Sequence, residues 1–153
     1  MTELSLRIAG PLDETIVHDL LMAMHSEAGM GSVNPQKVTN AIRHCLEMGC
    51  ILVVEVNGLV SAIMGLRPDG FWWSDDVALF DQFTYVKPEA RKTRAIFKLV
   101  QKAKDIAVEA GMPLLIANFG PVDTEIKSRL YRRFGRDIGT TIITGDTGTF
   151  LWR

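Results

Sequence analysis

Cysteine is nearly absent from this sequence of 153 residues; Cys45 and Cys50 are the only two. Two thiols cannot build a disulfide framework, and their CxxxxC spacing fits no common zinc pattern. Both are expected to be reduced, structural thiols. No apolar run approaches the roughly 18 residues that a membrane span needs. The opening Met1-Thr2-Glu3-Leu4-Ser5 has no basic stretch leading into an apolar one, so no signal peptide is expected, and a cytoplasmic location is. Also missing are a GKS/T phosphate loop, a G-x-S-x-G elbow and an H-E-x-x-H pair. His18, His25 and His44 fall on helical stretches without ligand-spaced partners, so no metal is expected. Gly29-Met30-Gly31-Ser32 starts like a dinucleotide fingerprint. It lacks the third glycine and lies between two helical patterns rather than after a strand, which excludes that reading.

What remains is an ordinary globular composition, 47 % apolar and 23 % charged, which argues against disorder. The length suits one domain over residues 1–153. The net charge of −1 conceals a strong asymmetry. Between Lys87 and Lys104 seven bases stand against Glu89 alone, and between Lys127 and Arg136 five bases stand against no acid. Two segments at +6 and +5 leave −1 − 11 = −12 for the rest of the chain. Such a distribution implies an anion-binding face on an acidic body. Coenzyme phosphates, nucleic acid or an acidic protein would each fit it, and solvated helix faces would look the same.

The order of elements is legible from periodicity. Leu4 to Ile8 alternates as a strand and stops at Gly10-Pro11; Ile16, Val17, Leu20, Leu21 and Met24 mark a helix over 14–28. Asn34 as N-cap and Pro35 at the first position open a second helix that Gly49 closes. Ile51–Val56, the turn Asn57-Gly58 and Leu59–Leu66 read as a hairpin. Residues 67–76, with Trp72 and Trp73, read as a loop. One tryptophan is expected in the core and the other at an acceptor site or a dimer contact. A strand over 77–86, a helix over 91–110 and a strand over 114–118 form a crossover unit, so those strands should be parallel. A last helix carries Ile126, Leu130 and Phe134, and terminal strands cover 141–144 and 149–152. The order β-α-α-β-β-β-α-β-α-β predicts an α/β domain, a mixed sheet with helices on both faces.

Chemistry concentrates in Val86-Lys87-Pro88-Glu89-Ala90-Arg91-Lys92-Thr93-Arg94-Ala95-Ile96. A strand ends, a proline turns the chain and a long helix begins; free N–H groups and the positive dipole end there suit a pyrophosphate. Here the chain resembles the GNAT superfamily of acyl-CoA N-acyltransferases, whose coenzyme loop runs V-x-P-x-x-R-G-x-G-x-G before a leucine-rich helix. Val86, Pro88, Arg91 and Leu99 stand where that pattern expects them. Lys92, Arg94 and Ile96 replace the three glycines, as in phage-encoded members with eroded loops. A second family motif, A-x-x-L-Y-x-x-x-G-F, is matched by Leu130, Tyr131 and Gly135, with Arg136 in place of the phenylalanine. The element order follows the family over nearly the whole chain.

The resemblance implies acetyl-CoA as donor and an amine, small or on a protein, as acceptor. Arg91, Lys92, Thr93, Arg94, Ala95 and Ile96 would hold the coenzyme, with backbone groups of Tyr85 and Val86 at the thioester and pantetheine. Tyr131 would protonate the departing thiolate. For the base the sequence offers Asp81, Glu55 or an ordered water, with Asp81 the nominee. A homodimer is compatible with this reading. The alternative is an inactive interaction protein on the same fold that binds a host protein or nucleic acid through its basic face. Nucleic acid is the less expected partner, because aromatics do not alternate with the bases.

Overall fold

The computed structural model describes residues 1–29, 31–118 and 124–139. Five strands form one sheet in the order β1-β2-β3-β4-β5: β1 (Leu4–Ile8), β2 (Cys50–Val56), β3 (Leu59–Phe71), β4 (Ser74–Val86) and β5 (Leu114–Leu115). The first three pairings are antiparallel, and β4 pairs with β5 in parallel across the crossover. Helices α1 (Glu14–Ala28) and α2 (Pro35–Met48) precede β2, α3 (Ala95–Ala110) links β4 to β5, and α4 (Thr124–Tyr131) follows. The terminal strands expected over 141–144 and 149–152 lie outside the described residues.

The signals that start and stop the early elements act as their chemistry dictates. The Asn34 side chain accepts from the amides of Gln36 and Lys37, capping α2 ahead of Pro35. Asn57 and Gly58 both take positive φ, 51° and 82°, as a tight hairpin turn between right-twisted strands demands. Gly49 ends α2 for a different reason. Its φ of −149° suits any residue, but a Cβ there would stand 1.9 Å from the Leu66 carbonyl oxygen. Close passage of the α2–β2 connection over β3 is what requires glycine.

Two apolar clusters sandwich the sheet. On one face, Val17, Leu20 and Leu21 of α1 and Val38, Ile42 and Cys45 of α2 meet Ile51, Val53, Ile63, Phe83 and Tyr85. On the other, Ala95, Leu99, Val100, Ala103 and Ala107 of α3 meet Leu52, Val54, Ala62, Met64, Leu66 and Leu79. The alanines of α3 let its backbone lie close to the sheet. Cys45 is buried and Cys50 half-buried, both as free thiols, and burial pushes the Cys45 thiol up to about 11.

Three expectations are corrected. Residues 67–76 are not a loop: β3 and β4 continue as a long hairpin whose turn is Trp72-Trp73. Pro68 is tolerated because β2 ends opposite Leu66, so its missing N–H faces no partner strand. Neither tryptophan is in the core; Trp72 is 92 % and Trp73 65 % exposed. The helix expected over 91–110 begins only at Ala95, after a short 3-10 turn at Pro88–Ala90 and a further turn through 91–94.

Candidate functional site

The sheet opens where β4 and β5 part. Their ladder has two register pairs, Leu79 with Leu114 and Phe80 with Leu115. At the next residue a side chain replaces the backbone. Asp81 Oδ1 accepts the Ala117 N–H at 2.8 Å, and Oδ2 accepts the Thr84 hydroxyl at 3.1 Å. Just beyond, β4 bulges. Gly65 faces Phe83 and Leu66 faces Asp81, so Gln82 has no opposite number in β3. The bulge is why Asp81 and Thr84, three apart, share the face that Leu66 gives to the α3 cluster.

Tyr131, at the end of α4, packs against that same cluster together with Phe134. Burial raises the Asp81 pKa, opposed by the hydrogen bonds from Ala117 and Thr84. Burial also raises the Tyr131 phenol, and the nearby Asp81 charge raises it further. The sheet opening therefore holds a phenol that stays protonated and a carboxyl with an increased hold on its proton. The other nominee for a base, Glu55, accepts from Arg7 Nε at 2.9 Å in an ion-pair network with Asp13. That places it in a different cluster.

Past the bulge, the strand edge is set by alternation. The Lys87 N–H donates to Ser61 O on the β3 side, so Val86 turns its backbone groups to the opposite side and Tyr85 turns its own to β3. The Val86 carbonyl accepts from Arg91 Nε at 3.1 Å, in keeping with that direction. The Thr93 hydroxyl donates to Ala90 O at 2.6 Å and accepts the Ala95 N–H at 3.2 Å, tightening the entry to α3. First-turn amides beyond it lack intrahelical acceptors and gather at the positive dipole end. Asn57 is the one non-glycine residue with positive φ among the described residues, so Lys92, Arg94 and Ile96 are free of that strain. Ile96 turns into the α3 cluster, Lys92 is exposed, and the Arg94 guanidinium lies 4.7 Å from the Phe97 ring centre. A helix start of this kind fits a diphosphate without its glycines.

Arg91 is placed differently from its neighbours. It forms an ion pair with Glu27 in the last turn of α1, and its guanidinium lies 5.9 Å from the centre of the Tyr85 ring. The Tyr85 hydroxyl donates to Glu27 Oε2 at 3.0 Å. Burial, and then this carboxylate, raise the Tyr85 pKa. Glu27 was not among the residues picked from sequence. Its signal was an acid at the C-terminal end of a helix, where the dipole disfavours negative charge.

No protein-family model matches the chain, and no curated protein matches it by sequence. Solved structures do match it in shape. A predicted acetyltransferase of Clostridium acetobutylicum, determined with acetyl-CoA, superposes with a TM-score of 0.75 at 11 % identity, over 93 % of this chain and 95 % of its own. A GCN5-related N-acetyltransferase of Ralstonia eutropha gives 0.72 at 20 % identity, over 95 % and 100 %. A ribosomal-protein-alanine N-acetyltransferase of Brucella melitensis gives 0.70 at 15 % identity, over 93 % and 99 %. The chain has the GNAT fold. Among the described residues, the element order through α4 and the mixed sheet agree with the expectation drawn from periodicity. Among the described residues, no helix is long and apolar enough to cross a membrane.

Proposed function

We propose that this chain is an N-acetyltransferase that moves an acetyl group from acetyl-CoA to an amine of a small molecule or a protein. The observation that carries this reading is the meeting of Asp81 and Tyr131 on one face where β4 and β5 part. Acetyl-CoA, when bound, supplies an acetyl group activated as a thioester. Exposed Lys92 and Arg94, with the first-turn amide of Ile96, would hold its diphosphate. The Thr93 and Ala95 amides expected to join them are already engaged by the Ala90 carbonyl and the Thr93 hydroxyl. The outward backbone groups of Val86 would face the pantetheine, beside Tyr85. Tyr131, kept protonated by burial and by Asp81, donates its proton to the departing sulfur. Asp81, with its raised pKa, draws the proton from the attacking amine directly or through a water.

Arg91 acts at one remove in this scheme, because Glu27 and the Val86 carbonyl engage its guanidinium. Charge reversal to test the seat therefore belongs at Lys92 and Arg94. Calorimetry with acetyl-CoA should show binding to the wild type and none to Lys92→Glu/Arg94→Glu, with the melting temperature unchanged. Arg91→Glu should lower the melting temperature, since it sets a second acid against Glu27. No heat and no thermal shift for the wild type at millimolar acetyl-CoA would overturn the enzyme reading and favour a non-catalytic binding protein.

A further inference from the structure

The end of the molecule away from the sheet opening carries a second feature. Trp72 and Trp73 form the turn of the β3–β4 hairpin, their rings 5.3 Å apart and edge to face. Trp73 also leans on Phe71 at 5.0 Å, and Phe71 on Phe80 at 5.8 Å. Turn positions favour small or polar residues, and nothing in the backbone here requires an indole. Two large rings held outward against local preference form an exposed apolar patch of the kind that marks an interface. Two acids, Asp75 and Asp76, border the patch; Asp69 nearby is already paired with Arg67 at 2.8 Å. Asp75 and Asp76 are exposed and border an open groove of about 510 Å³ that runs from Phe71 to Gly111 and Pro113.

That groove fixes the tip beside the C-terminal end of α3. The basic segment 127–136 lies at the other end, because Phe134 stacks on Phe97 of the first turn of α3 at 5.2 Å. Sixteen helical residues, roughly 24 Å, separate the two. Arg133 and Arg136 are exposed there, and no ion pair holds either among the described residues. We propose that the tryptophan tip of one copy docks on the Arg133–Arg136 end of another. Carboxylates would face guanidinium groups, and arginines would stack on indole faces. Because donor and acceptor surfaces sit at opposite ends, the contact is head-to-tail. It does not close at a dimer unless a ring forms.

Sedimentation of the full chain over a concentration series tests this at about 0.05 M and about 0.5 M salt, where screening differs several-fold in range. The expected result is a mass that climbs past the dimer with concentration in low salt and falls to the monomer in high salt. Trp72→Ala/Trp73→Ala should be monomeric throughout. Asp75→Lys/Asp76→Lys and Arg133→Glu/Arg136→Glu should each be monomeric alone, and their equimolar mixture should associate. All of these residues are exposed, so unchanged melting temperatures would show that folding is not the cause. A wild type that stays monomeric in low salt overturns the proposal. So does association that the reversals leave intact, or a mixture that fails to associate.

Discussion

The two faces of the sheet differ in what they bury. Against α1 and α2 the sheet presents Ile51, Val53 and Ile63, and the helices answer with Val17, Leu20, Leu21, Val38 and Ile42. Apart from Tyr85, whose hydroxyl leaves the cluster to reach Glu27, the buried members of this cluster are aliphatic side chains, Phe83 and Cys45. Against α3 and α4 the sheet is just as apolar through Leu52, Val54, Met64 and Leu66. It then admits Asp81 and Tyr131, two half-buried groups whose ionisation is opposed by loss of water contact. Their presence costs folding free energy that an aliphatic pair would not. They sit where the pairing of β4 with β5 stops. One face is apolar through its cluster, and the other carries two ionisable groups within its own.

Substitutions can set that contrast apart, and the largest effect belongs to Tyr131. Tyr131→Phe should lower acetyl transfer by roughly 10²–10⁴-fold, the usual worth of general acid catalysis. Affinity for acetyl-CoA by calorimetry should hardly change, since only the transition state uses the hydroxyl. Turnover at the wild-type rate on an identified amine would remove the phenol from the mechanism. On the opposite face, Ile42→Ala removes a fully buried side chain between α2 and the sheet and should cost about 2–5 kcal/mol in denaturant unfolding. Below its melting point that variant should bind acetyl-CoA as the wild type does. A loss of binding there would mean that the two faces are not separable.

The smallest effect is the one with a direction in pH. A carboxyl whose folded pKa lies above its unfolded value adds stability below the unfolded pKa. That contribution is lost as pH rises through the folded pKa. Asp81 is such a group. Asp81→Asn keeps an oxygen for the Ala117 N–H and carries no charge. Its melting temperature should therefore gain on the wild type as pH climbs from the ordinary carboxylate range through the raised pKa, while acetyl transfer falls. Parallel melting curves across that range would mean that Asp81 is not strained by its burial.

Much of this architecture could be read along the chain. Helical spacing placed α1, and Asn34-Pro35 and Asn57-Gly58 placed the start of α2 and the first hairpin, because each is a local rule acting over a few residues. The errors share a cause, since non-local facts overrode local preference. Pro68, Asp69 and Gly70 spell a loop, yet they lie in a strand because the neighbour on the proline's side has already ended. Residues 91–94 include good helix formers, yet the chain turns there, tied by Thr93 and Arg91 to Ala90 and Val86. Asp81 and Tyr131 were found through a resemblance, whereas their shared face depends on register. The ion pair between Glu27 and Arg91 joins residues far apart in sequence, and no spacing rule reaches across that distance. Only the misplaced charge at the end of α1 hinted at it.

The bulge at Gln82 has an arithmetic of its own. In a regular strand, removing one residue turns every later side chain to the wrong side of the sheet. In β4 the count already contains one residue too many: Asp81 points toward α3, Phe83 toward α2, and the ladder passes over the residue between them. Deleting Gln82 would thus leave Phe83, Thr84, Tyr85 and Val86 facing as they do now, on a straighter strand. This is a rare position at which a shortened chain should keep its interior intact. What it would lose is the bend that carries β4 away from β5.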